Sequence, residues 1–270
     1  MNNLIDVVIV TYNSAAIIAK CLDQLNSKNI STILVVDNAS QDNIVDVLSE
    51  SAACSKIRLI RNESNLGFAK AVSVGVSNSR SDYILILNPD CEVTDPFLEN
   101  VIWCHRDGAD VVVPKSTFNE DGESLDGLVM NPTRAKISVQ VFMYQFRKKI
   151  PSVCHSLLGV CLLGLPLIEK ISRYREKKNS MQWYWPNGAC FSITKTMYER
   201  AGGLPQHYFM YNEDVEFGFH LTQKNCRYAI TQDSLFHAFR KGSAISNDSR
   251  MELILSAHQT YLARVKDRFV

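Results

Sequence analysis

Two carboxylates stand where an apolar run of the sequence ends, a position from which a side chain can do chemistry. Asp37 closes the run ILVVD, and Asp90 follows the run ILIL after Asn88 and Pro89. The residue before a proline is held extended, so the chain turns sharply there and presents Asp90 beyond the run. A hard carboxylate in such a place suits Mg²⁺ or Mn²⁺ that bridges to phosphate oxygens. An ordinary turn or helix cap would explain either aspartate about as well.

A third carboxylate, Asp214, lies in the stretch EDVEFGFHL, whose apolar spacing predicts a helix. Glu213 and Glu216 suit the dipole of the helix start, and we expect them on an exposed polar stripe. Asp214 instead shares a face with Phe217 and Leu221, which should point inward. A carboxylate on an apolar face needs a partner or a task, and burial raises its pKa as a general base requires. Asp214 is therefore the candidate base.

Four further residues could bind an anion, a metal or a sugar. Gly67 opens a predicted helix in NLGFAK and permits a close approach of backbone, and a helix start favours an anion such as a diphosphate. Lys70, in the first turn of that helix, is either a neighbour of the anion or an ordinary surface lysine. His237 follows an apolar stretch and is either structural or a metal ligand. Trp185, in YWPN, could stack on a sugar ring or pack in the core.

These candidates are positioned by a predicted alternation of strands and helices in the first half of the chain. Strands are expected at 6–11, 33–37, 57–61, 83–87 and 110–114, with helices at 14–25, 42–51 and 67–79 between them. Short apolar strands separated by helices imply a parallel, doubly wound α/β sheet. Ligands bind beyond the carboxyl ends of such strands, where Asp37, Asp90 and the Thr11-Tyr12-Asn13 turn should lie.

The second half becomes regular again only after a segment of different composition. Beyond residue 114 the chain is polar and rich in turn residues, and 134–178 carries ten Lys and Arg residues against two acids, interleaved with short apolar runs. That basic segment is either an interfacial, non-spanning membrane contact or a helical cap with a basic face. Regular elements are predicted beyond it, namely strands at 188–194 and 227–231 and helices at 195–201, 213–224 and 249–268.

Composition and motif content argue against several classes of protein. The net charge is +1, so the chain has no global basic field for nucleic acid. Neither GxGxxG nor a P-loop motif follows a strand, which argues against nicotinamide and P-loop phosphate sites. The eight cysteines form no CxxC pair, so buried reduced thiols of a cytosolic protein are expected rather than a zinc site. We predict no signal peptide and no apolar run of the ~18 to 20 residues that span a bilayer.

Six motifs occur in one order, namely VVIVTYN, VVDNAS, NLGFAKA, LILNPD, GACFSITKTMYERAGGLPQHYFMYNEDVEFGFHL and a downstream histidine. In this order they resemble the inverting glycosyltransferases of family two, particularly the rhamnosyltransferase-like branch that builds bacterial surface polysaccharides. The resemblance covers roughly residues 4–115 and 183–268. It implies an α/β fold of the GT-A type, with a mostly parallel central sheet and a helical acceptor-side segment. It also implies a nucleotide-diphosphate sugar donor, linked to UDP or dTDP.

The resemblance assigns roles to the candidate residues by position. The donor contacts that it implies are Thr11, Tyr12, Asn13 and Asp37 at the base and ribose, and Gly67 and Lys70 near the nucleotide and diphosphate. Asn88-Pro89-Asp90 takes the place of the family's DxD metal motif, so Asn88 replaces the first aspartate and Asp90 is left to hold Mn²⁺ or Mg²⁺. His237 matches a histidine that reaches the metal or diphosphate in some members. Asp214 matches the general base, and the acceptor-side residues would be Trp185, Asn187 and Glu213.

The prediction as a whole is one domain, 1–270, in which 1–115 binds the nucleotide sugar, 116–182 is variable and membrane-facing, and 183–270 is the acceptor and catalytic half. The enzyme would transfer rhamnose or a similar hexose, with inversion, to a polyprenyl-diphosphate-linked saccharide at the inner face of the cell membrane. Two alternatives remain. A nucleotidyltransferase would want a glycine-rich basic loop after the first strand, where TYNSAAIIAK has no glycine. A non-catalytic sugar-nucleotide binding module would have no use for an inward Asp214.

Overall fold

The computed structural model describes residues 4–130, 137–138, 141, 183–238 and 247–264. These residues form two compact units. The first unit takes its described residues from 1–129, 184–209 and 213–244, and the second takes them from 130–183, 210–212 and 245–270. The basic segment 134–178 lies outside the described residues except at three positions, so its predicted membrane contact stays a prediction, as does the three-part division of the chain.

Strands and helices alternate along most of the described chain. The strands are β1 (Ile5–Thr11), β2 (Ile30–Asp37), β3 (Ile57–Arg61), β4 (Tyr83–Leu87), β5 (Cys91–Glu92), β6 (Val111–Val113), β7 (Ser116–Phe118), β8 (Ser124–Asp126), β9 (Leu128–Met130), β10 (Tyr184–Pro186), β11 (Cys190–Thr194), β12 (Tyr228–Ile230) and β13 (Ser234–His237). The α-helices are α1 (Ala15–Gln24), α2 (Ile44–Glu50), α3 (Phe68–Asn78), α4 (Asp95–Arg106), α5 (Lys195–Arg200), α6 (Glu213–Gln223) and α7 (Asn247–Arg264).

The first unit is built on a seven-stranded sheet with the order β12-β6-β11-β4-β1-β2-β3. Residues that alternate along β1 belong to two separate hydrophobic clusters, with Val7 in one and Val8 in the other. Since successive side chains of a strand point to opposite faces, the sheet has a core on each side, as parallel sheets covered by helices do. The edge strand β3 is only partly buried, and its exposed residues are Arg58 and Arg61.

The structure confirms the mostly parallel sheet, in which one strand is antiparallel. β11 runs antiparallel to both of its neighbours, β4 and β6, whereas the other neighbouring pairs are parallel. The run CFSIT is buried along most of its length like the parallel strands, so its composition carries no information about direction. Helix α4 was not predicted from the sequence. Thr94 caps it by accepting the Phe97 N–H at 3.3 Å, and Pro96 lies near the helix start.

A second, smaller sheet positions part of the candidate site. Its order is β5-β13-β7-β8, and β7 and β8 form in the region that looked merely turn-rich in the sequence. β13 pairs antiparallel with β5, so that His237 lies directly opposite Cys91. The Ala238 N–H also donates to the Asp90 carbonyl at 3.0 Å. The strand pairing therefore brings His237 to the chain that follows Asn88-Pro89.

The second unit contains α7, where the predicted terminal helix is found, beginning at Asn247 rather than Ser249. Tyr211 and Asn212, which also belong to this unit, both have positive φ angles. Asn212 Nδ2 and His258 Nδ1 lie 2.9 Å apart and connect that turn to α7. Among the residues that the structure describes, no helix combines the length and the apolar character that crossing a membrane requires.

Candidate active site

Asp37 organises the loops at the carboxyl edge of the sheet. Its side chain is fully buried. Oδ1 accepts from Thr11 Oγ1 at 3.0 Å and from the Ser40 hydroxyl, and Oδ2 accepts from the Ser40 N–H at 3.2 Å and Arg61 Nε at 3.3 Å. Protein donors thus surround the carboxylate that was predicted to contact the ribose or base. Ser40 and Arg61 were not among the predicted site residues, although Ser40 lies in the motif VVDNAS and Arg61 ends β3.

The loops after β1 and β2 are joined by side-chain hydrogen bonds. Asn13 has a φ of 51°, its N–H donates to Ser40 Oγ at 2.8 Å, and its Oδ1 accepts from the Gln41 N–H at 2.8 Å. Beside it, Tyr12 is 38% exposed. A ring held at this edge by such a rigid neighbour can stack on a nucleobase. The predicted turn residues Thr11, Tyr12 and Asn13 are therefore brought together with Asp37.

Asn38 was missed in the sequence and ties this edge to the next helix. It is buried, its Nδ2 donates to the Gly67 carbonyl at 3.3 Å, and its Oδ1 accepts from Asn62 Nδ2 at 2.8 Å. Lys70 lies in the first turn of α3, as predicted, and is exposed; its place beside an anion stays a prediction. The ends of β2 and β3 and the start of α3 consequently form one hydrogen-bonded surface.

The close backbone approach expected at Gly67 is present, but its partner is protein. Gly67 has a φ of 79°, and an added Cβ would overlap the Phe209 carbonyl oxygen and lie 3.0 Å from its carbon. The same oxygen accepts the Phe68 N–H at 2.9 Å. The first amide of α3 is therefore occupied by the protein itself, so an anion at this helix start would have to use the following amides and Lys70.

Asp90 and His237 form the candidate metal pair. His237 Nε2 lies 3.2 Å from Asp90 Oδ1, and both side chains are 10% exposed. The turn that holds Asp90 is fixed by the Asn88 N–H, which donates to the Ala189 carbonyl at 2.8 Å, and by the Cys91 N–H, which donates to the Asn88 carbonyl at 3.1 Å. A carboxylate oxygen and an imidazole nitrogen that converge at a nearly closed position fit a divalent cation such as Mn²⁺.

Cys91 is the third potential ligand, and its environment speaks against that role for a hard cation. Its sulfur lies within 4.8 Å of ligand atoms of Asp90 and His237. The thiol, however, donates to the Ala189 carbonyl at 3.4 Å, and burial, assisted by the Asp90 charge, raises its pKa well above the usual value. A protonated buried thiol is a poor ligand for Mg²⁺ or Mn²⁺. Cys21 and Cys190 are likewise buried and free, which confirms the expectation of buried thiols for these three residues.

Asp214 lies in the first turn of α6 and faces the start of β11. Its Oδ2 accepts the Gly188 N–H at 3.1 Å, and a Cβ added to Gly188 would come within 3.2 Å of the same oxygen. Oδ1 accepts the Val215 N–H at 2.9 Å. Burial raises the pKa of Asp214, and the two N–H donors moderate the rise. An aspartate with a raised pKa that still ionises is the state that a general base needs.

The prediction that Glu213 and Glu216 form an exposed stripe is wrong. Glu213 is 6% exposed, and its Oε2 has no hydrogen-bond partner among the described residues. Burial and the Asp214 charge raise its pKa. Glu216 is fully buried, where Tyr208 and His207 bind it. Helical periodicity assumes one covered face, whereas the start of α6 is covered on more than one side.

The aromatic strand β10, which precedes β11, covers one of these sides. A Cβ added at Gly218 of α6 would overlap Trp185 Cβ, so Trp185 packs directly on the helix. Its Nε1 is buried and finds no acceptor within the described ranges. Asn187 shapes the turn, since its N–H donates to the Gly127 carbonyl at 2.8 Å and its Oδ1 accepts the Ala189 N–H at 3.0 Å. Trp185 therefore contacts the helix of Asp214, and Asn187 shapes the turn that leads to Gly188; their acceptor-side role stays a prediction.

The dipeptide Gly188-Ala189 connects the two halves of the site. Gly188 donates to Asp214, and the Ala189 carbonyl accepts from Asn88 and Cys91. The candidate base and the candidate metal turn thus contact adjacent residues of one strand start. The structure brings together a carboxylate able to take a proton and a carboxylate–imidazole pair able to hold a cation.

Known proteins resemble this chain in sequence and in fold. The sequence model of the family described as Glycosyl transferase family 2 matches residues 6–162. An N-acetylglucosaminyl-diphospho-decaprenol L-rhamnosyltransferase of Mycobacterium tuberculosis is 22% identical over 288 residues, covering 97% of this chain and 84% of that protein. The crystal structure of S. aureus TarS 1-349 has a TM-score of 0.57 at 14% identity, over 97% of this chain and 72% of that one. The Pyrobaculum calidifontis mannosyltransferase PcManGT, in complex with GDP-Man and Mn²⁺, has a TM-score of 0.54 at 13% identity, over 97% and 75%.

Proposed function

Since this chain belongs to glycosyl transferase family 2 and is a hexosyltransferase with the GT-A fold, we propose that it moves rhamnose or a similar hexose from a nucleotide-diphosphate donor to a saccharide by inversion. The observation that carries the proposal is the partly buried Asp214, held by the Gly188 N–H next to the strand start that also binds the Asn88–Asp90 turn. A pure binding module has no use for a base in this position. The predicted nucleotidyltransferase alternative finds no support in the family match.

In the proposed single displacement, Asp214 takes the proton of the acceptor hydroxyl while that oxygen forms the new bond to the anomeric carbon. The bond from the anomeric carbon to the diphosphate oxygen breaks, and the nucleoside diphosphate leaves with its electron pair. Gly188 keeps Asp214 Oδ2 oriented during the transfer. The raised pKa of Asp214 gives it the basicity for this step.

Asp90 and His237 would hold the divalent cation, Mn²⁺ or Mg²⁺, and the mannosyltransferase structure with Mn²⁺ supports a cation in this fold. When bound, the cation would supply charge neutralisation to the leaving diphosphate. On the donor side, Tyr12 would stack on the base of dTDP or UDP, and Lys70 would approach the diphosphate. Asp37 would act chiefly by holding the Thr11–Asn13 turn, because its oxygens already accept from protein donors.

The acceptor that we propose is a saccharide linked to a polyprenyl diphosphate in bacterial surface polysaccharide synthesis. The support is the M. tuberculosis relative, an N-acetylglucosaminyl-diphospho-decaprenol L-rhamnosyltransferase, whose name specifies a decaprenol-linked substrate. Trp185, Asn187 and Glu213 would face this acceptor. Peripheral contact with the cytoplasmic face of the membrane would be made by 134–178, and flotation of the whole chain on anionic liposomes, with and without that segment, tests it. Equal recovery of both proteins in the soluble fraction would contradict membrane contact.

The test of the proposed function combines binding and transfer. A panel of UDP- and dTDP-sugars with Mn²⁺ is screened by thermal shift, because a ligand that binds the folded state raises its melting temperature. Transfer from the stabilising donor to a polyprenyl-diphosphate-linked N-acetylglucosamine is then compared for wild type and Asp214→Asn. We expect kcat to fall about 10²- to 10⁴-fold, the usual contribution of a positioned base, while donor affinity changes less than about threefold.

The matched control is Asp126→Asn, because Asp126 is exposed on β8 and belongs to no part of the site. This variant should keep wild-type turnover. Wild-type turnover in Asp214→Asn would refute the assignment of the base. Stabilisation by a donor without any sugar transfer would favour the binding-module alternative.

A further inference from the structure

A buried carboxylate on α6 has no part in the proposed reaction. Glu216 is fully buried, and its Oε2 accepts from Tyr208 Oη at 2.7 Å and lies 3.0 Å from His207 Nε2. His220 Nε2 lies 3.8 Å from the other carboxylate oxygen. A carboxylate only accepts, so the His207 nitrogen that faces it carries a hydrogen. Burying a charge costs several kcal/mol unless donors surround it, which makes this arrangement a feature that needs an explanation.

The hydrogen-bond donors to Glu216 lie in a segment that also binds α3, the helix proposed to approach the nucleotide sugar. Residues 203–209, here called the 203–209 strap, follow α5. The Leu204 N–H donates to Tyr198 Oη at 3.3 Å, and Gln206 Nε2 donates to Ser73 Oγ of α3 at 3.3 Å. The Phe209 carbonyl accepts the Phe68 N–H at 2.9 Å. The strap therefore joins α3, which begins at the predicted diphosphate position, to the buried acid of α6.

Glu216 lies two residues after Asp214, and two residues of an α-helix are about 200° apart around the axis. The strap thus holds one side of the first turn of α6, while Gly188 binds Asp214 on the other. An atom about 6 Å from the axis of a helix moves by about 1 Å when the helix rotates by about 10°. A misplacement of about 1 Å can cost about 10²-fold in rate.

We propose that Glu216 is a positioning residue for Asp214, which fixes the rotation of α6 through Tyr208 and His207 so that the base meets the acceptor hydroxyl. The inference rests on the proposed function, in which Asp214 is the base. Glu216 touches neither substrate nor metal in this scheme. It acts only through the helix that it shares with Asp214.

The test uses two variants of the full chain. Glu216→Gln keeps the shape but loses the charge and one acceptor, and Tyr208→Phe keeps the ring but removes one donor to Glu216. With the donor selected by thermal shift and Mn²⁺, each should lower kcat about 10- to 100-fold, while donor affinity by calorimetry changes less than about threefold. Tyr83→Phe, a tyrosine of β4 outside the strap, is the control and should keep wild-type kcat.

A double variant separates positioning from a merely structural role. Because Glu216 acts through Asp214, adding Glu216→Gln to Asp214→Asn should lower the residual rate by less than about twofold. A loss of the same size in both backgrounds would overturn the proposal. So would a fall in donor affinity large enough to account for the loss of rate.

A second measurement does not depend on any substrate. The Gly188 amide donates to Asp214, so its hydrogen exchange reports on the placement of the base. We expect exchange at Gly188 to become at least about 10-fold faster in Glu216→Gln and Tyr208→Phe, with the amides of the β1–β2 ladder unchanged. Unchanged hydrogen-exchange protection of the Gly188 amide would overturn the proposal even if no sugar transfer were detected. Absence of transfer by the wild type, by contrast, would contradict the proposed function and leave this result to decide the positioning role.

Discussion

Replacing Gly67 with alanine should be among the most damaging single-methyl additions in this chain. Gly67 has φ 79° and ψ 177°, a region that is essentially restricted to glycine. An L side chain there costs about 1 to 3 kcal/mol. The added Cβ would also overlap the Phe209 carbonyl oxygen, a backbone atom that no rotamer change can remove.

The three costs of Gly67→Ala can be added in order of magnitude. To the backbone strain, displacement of Phe209 adds the loss of the Phe68 N–H bond, about 0.5 to 1.5 kcal/mol. Overpacking adds about 1 to 3 kcal/mol. We therefore expect the free energy of unfolding to fall by about 2.5 to 7.5 kcal/mol. Because the start of α3 must move, the affinity for the nucleotide should fall as well.

The matched control for this variant is Gly202→Ala. Gly202 has a φ of 84°, but a Cβ there would meet nothing within 4 Å, so only the backbone strain of about 1 to 2 kcal/mol applies. Urea unfolding of both variants measures the difference, with unchanged slopes as the condition for comparing midpoints. If the two variants lost the same stability within about 0.5 kcal/mol, the steric role of Phe209 would be refuted.

Two further predictions concern titration and the metal. Burial raises the pKa of both Asp214 and Glu213, so the transfer rate should rise with pH through a value above the usual aspartate range, near ~3.9. Because the pKa values are raised in the folded state, the protonated carboxyl groups stabilise the fold below the usual aspartate range, and this stabilisation is lost as pH rises through the raised pKa values. The free energy of unfolding of Asp214→Asn should therefore increase relative to that of the wild type as pH rises. A constant difference in urea midpoint between pH 5 and 8 would contradict this prediction. For the metal, Asp90→Asn and His237→Ala should each weaken Mn²⁺ affinity by at least about 10-fold in calorimetric titration. Cys91→Ala is the control and should change this affinity by less than about twofold. A larger loss of affinity in Cys91→Ala would show that the thiol is a metal ligand.

The local sequence was sufficient to predict those strands and strand ends that depend on burial and turn chemistry over a few residues. The apolar runs of β1, β2 and β4 indicated a sheet covered on both faces, because short apolar runs that alternate with helices are typical of buried parallel strands. Strand ends then had to carry Asp37 and the Asn88–Asp90 turn to the same edge. Gly67 predicted a close approach of backbone for a similarly local reason, because glycine has no Cβ. The structure shows its backbone in a conformation that is essentially restricted to glycine.

Partners that are distant along the chain could be assigned only from the tertiary structure. The close approach at Gly67 comes from Phe209, the oxygens of Asp37 accept from Thr11 and Arg61, and His237 reaches Asp90 because β13 pairs with β5. No local pattern encodes these pairings, since each depends on which elements become neighbours in the sheet. The antiparallel direction of β11 could likewise be assigned only from the tertiary structure, because burial of a strand is independent of its direction.

The helix of Asp214 shows both contributions most clearly. The residue order determined that an acid would stand beside the buried face, and the raised pKa of Asp214 agrees with that. The burial of Glu213 and Glu216 was decided by the tertiary structure, which adds Trp185, Tyr208 and His207 around the same turn. Helical periodicity tells how residues are distributed around an axis. How many sides of that axis are covered depends on the segments that the rest of the fold brings to it.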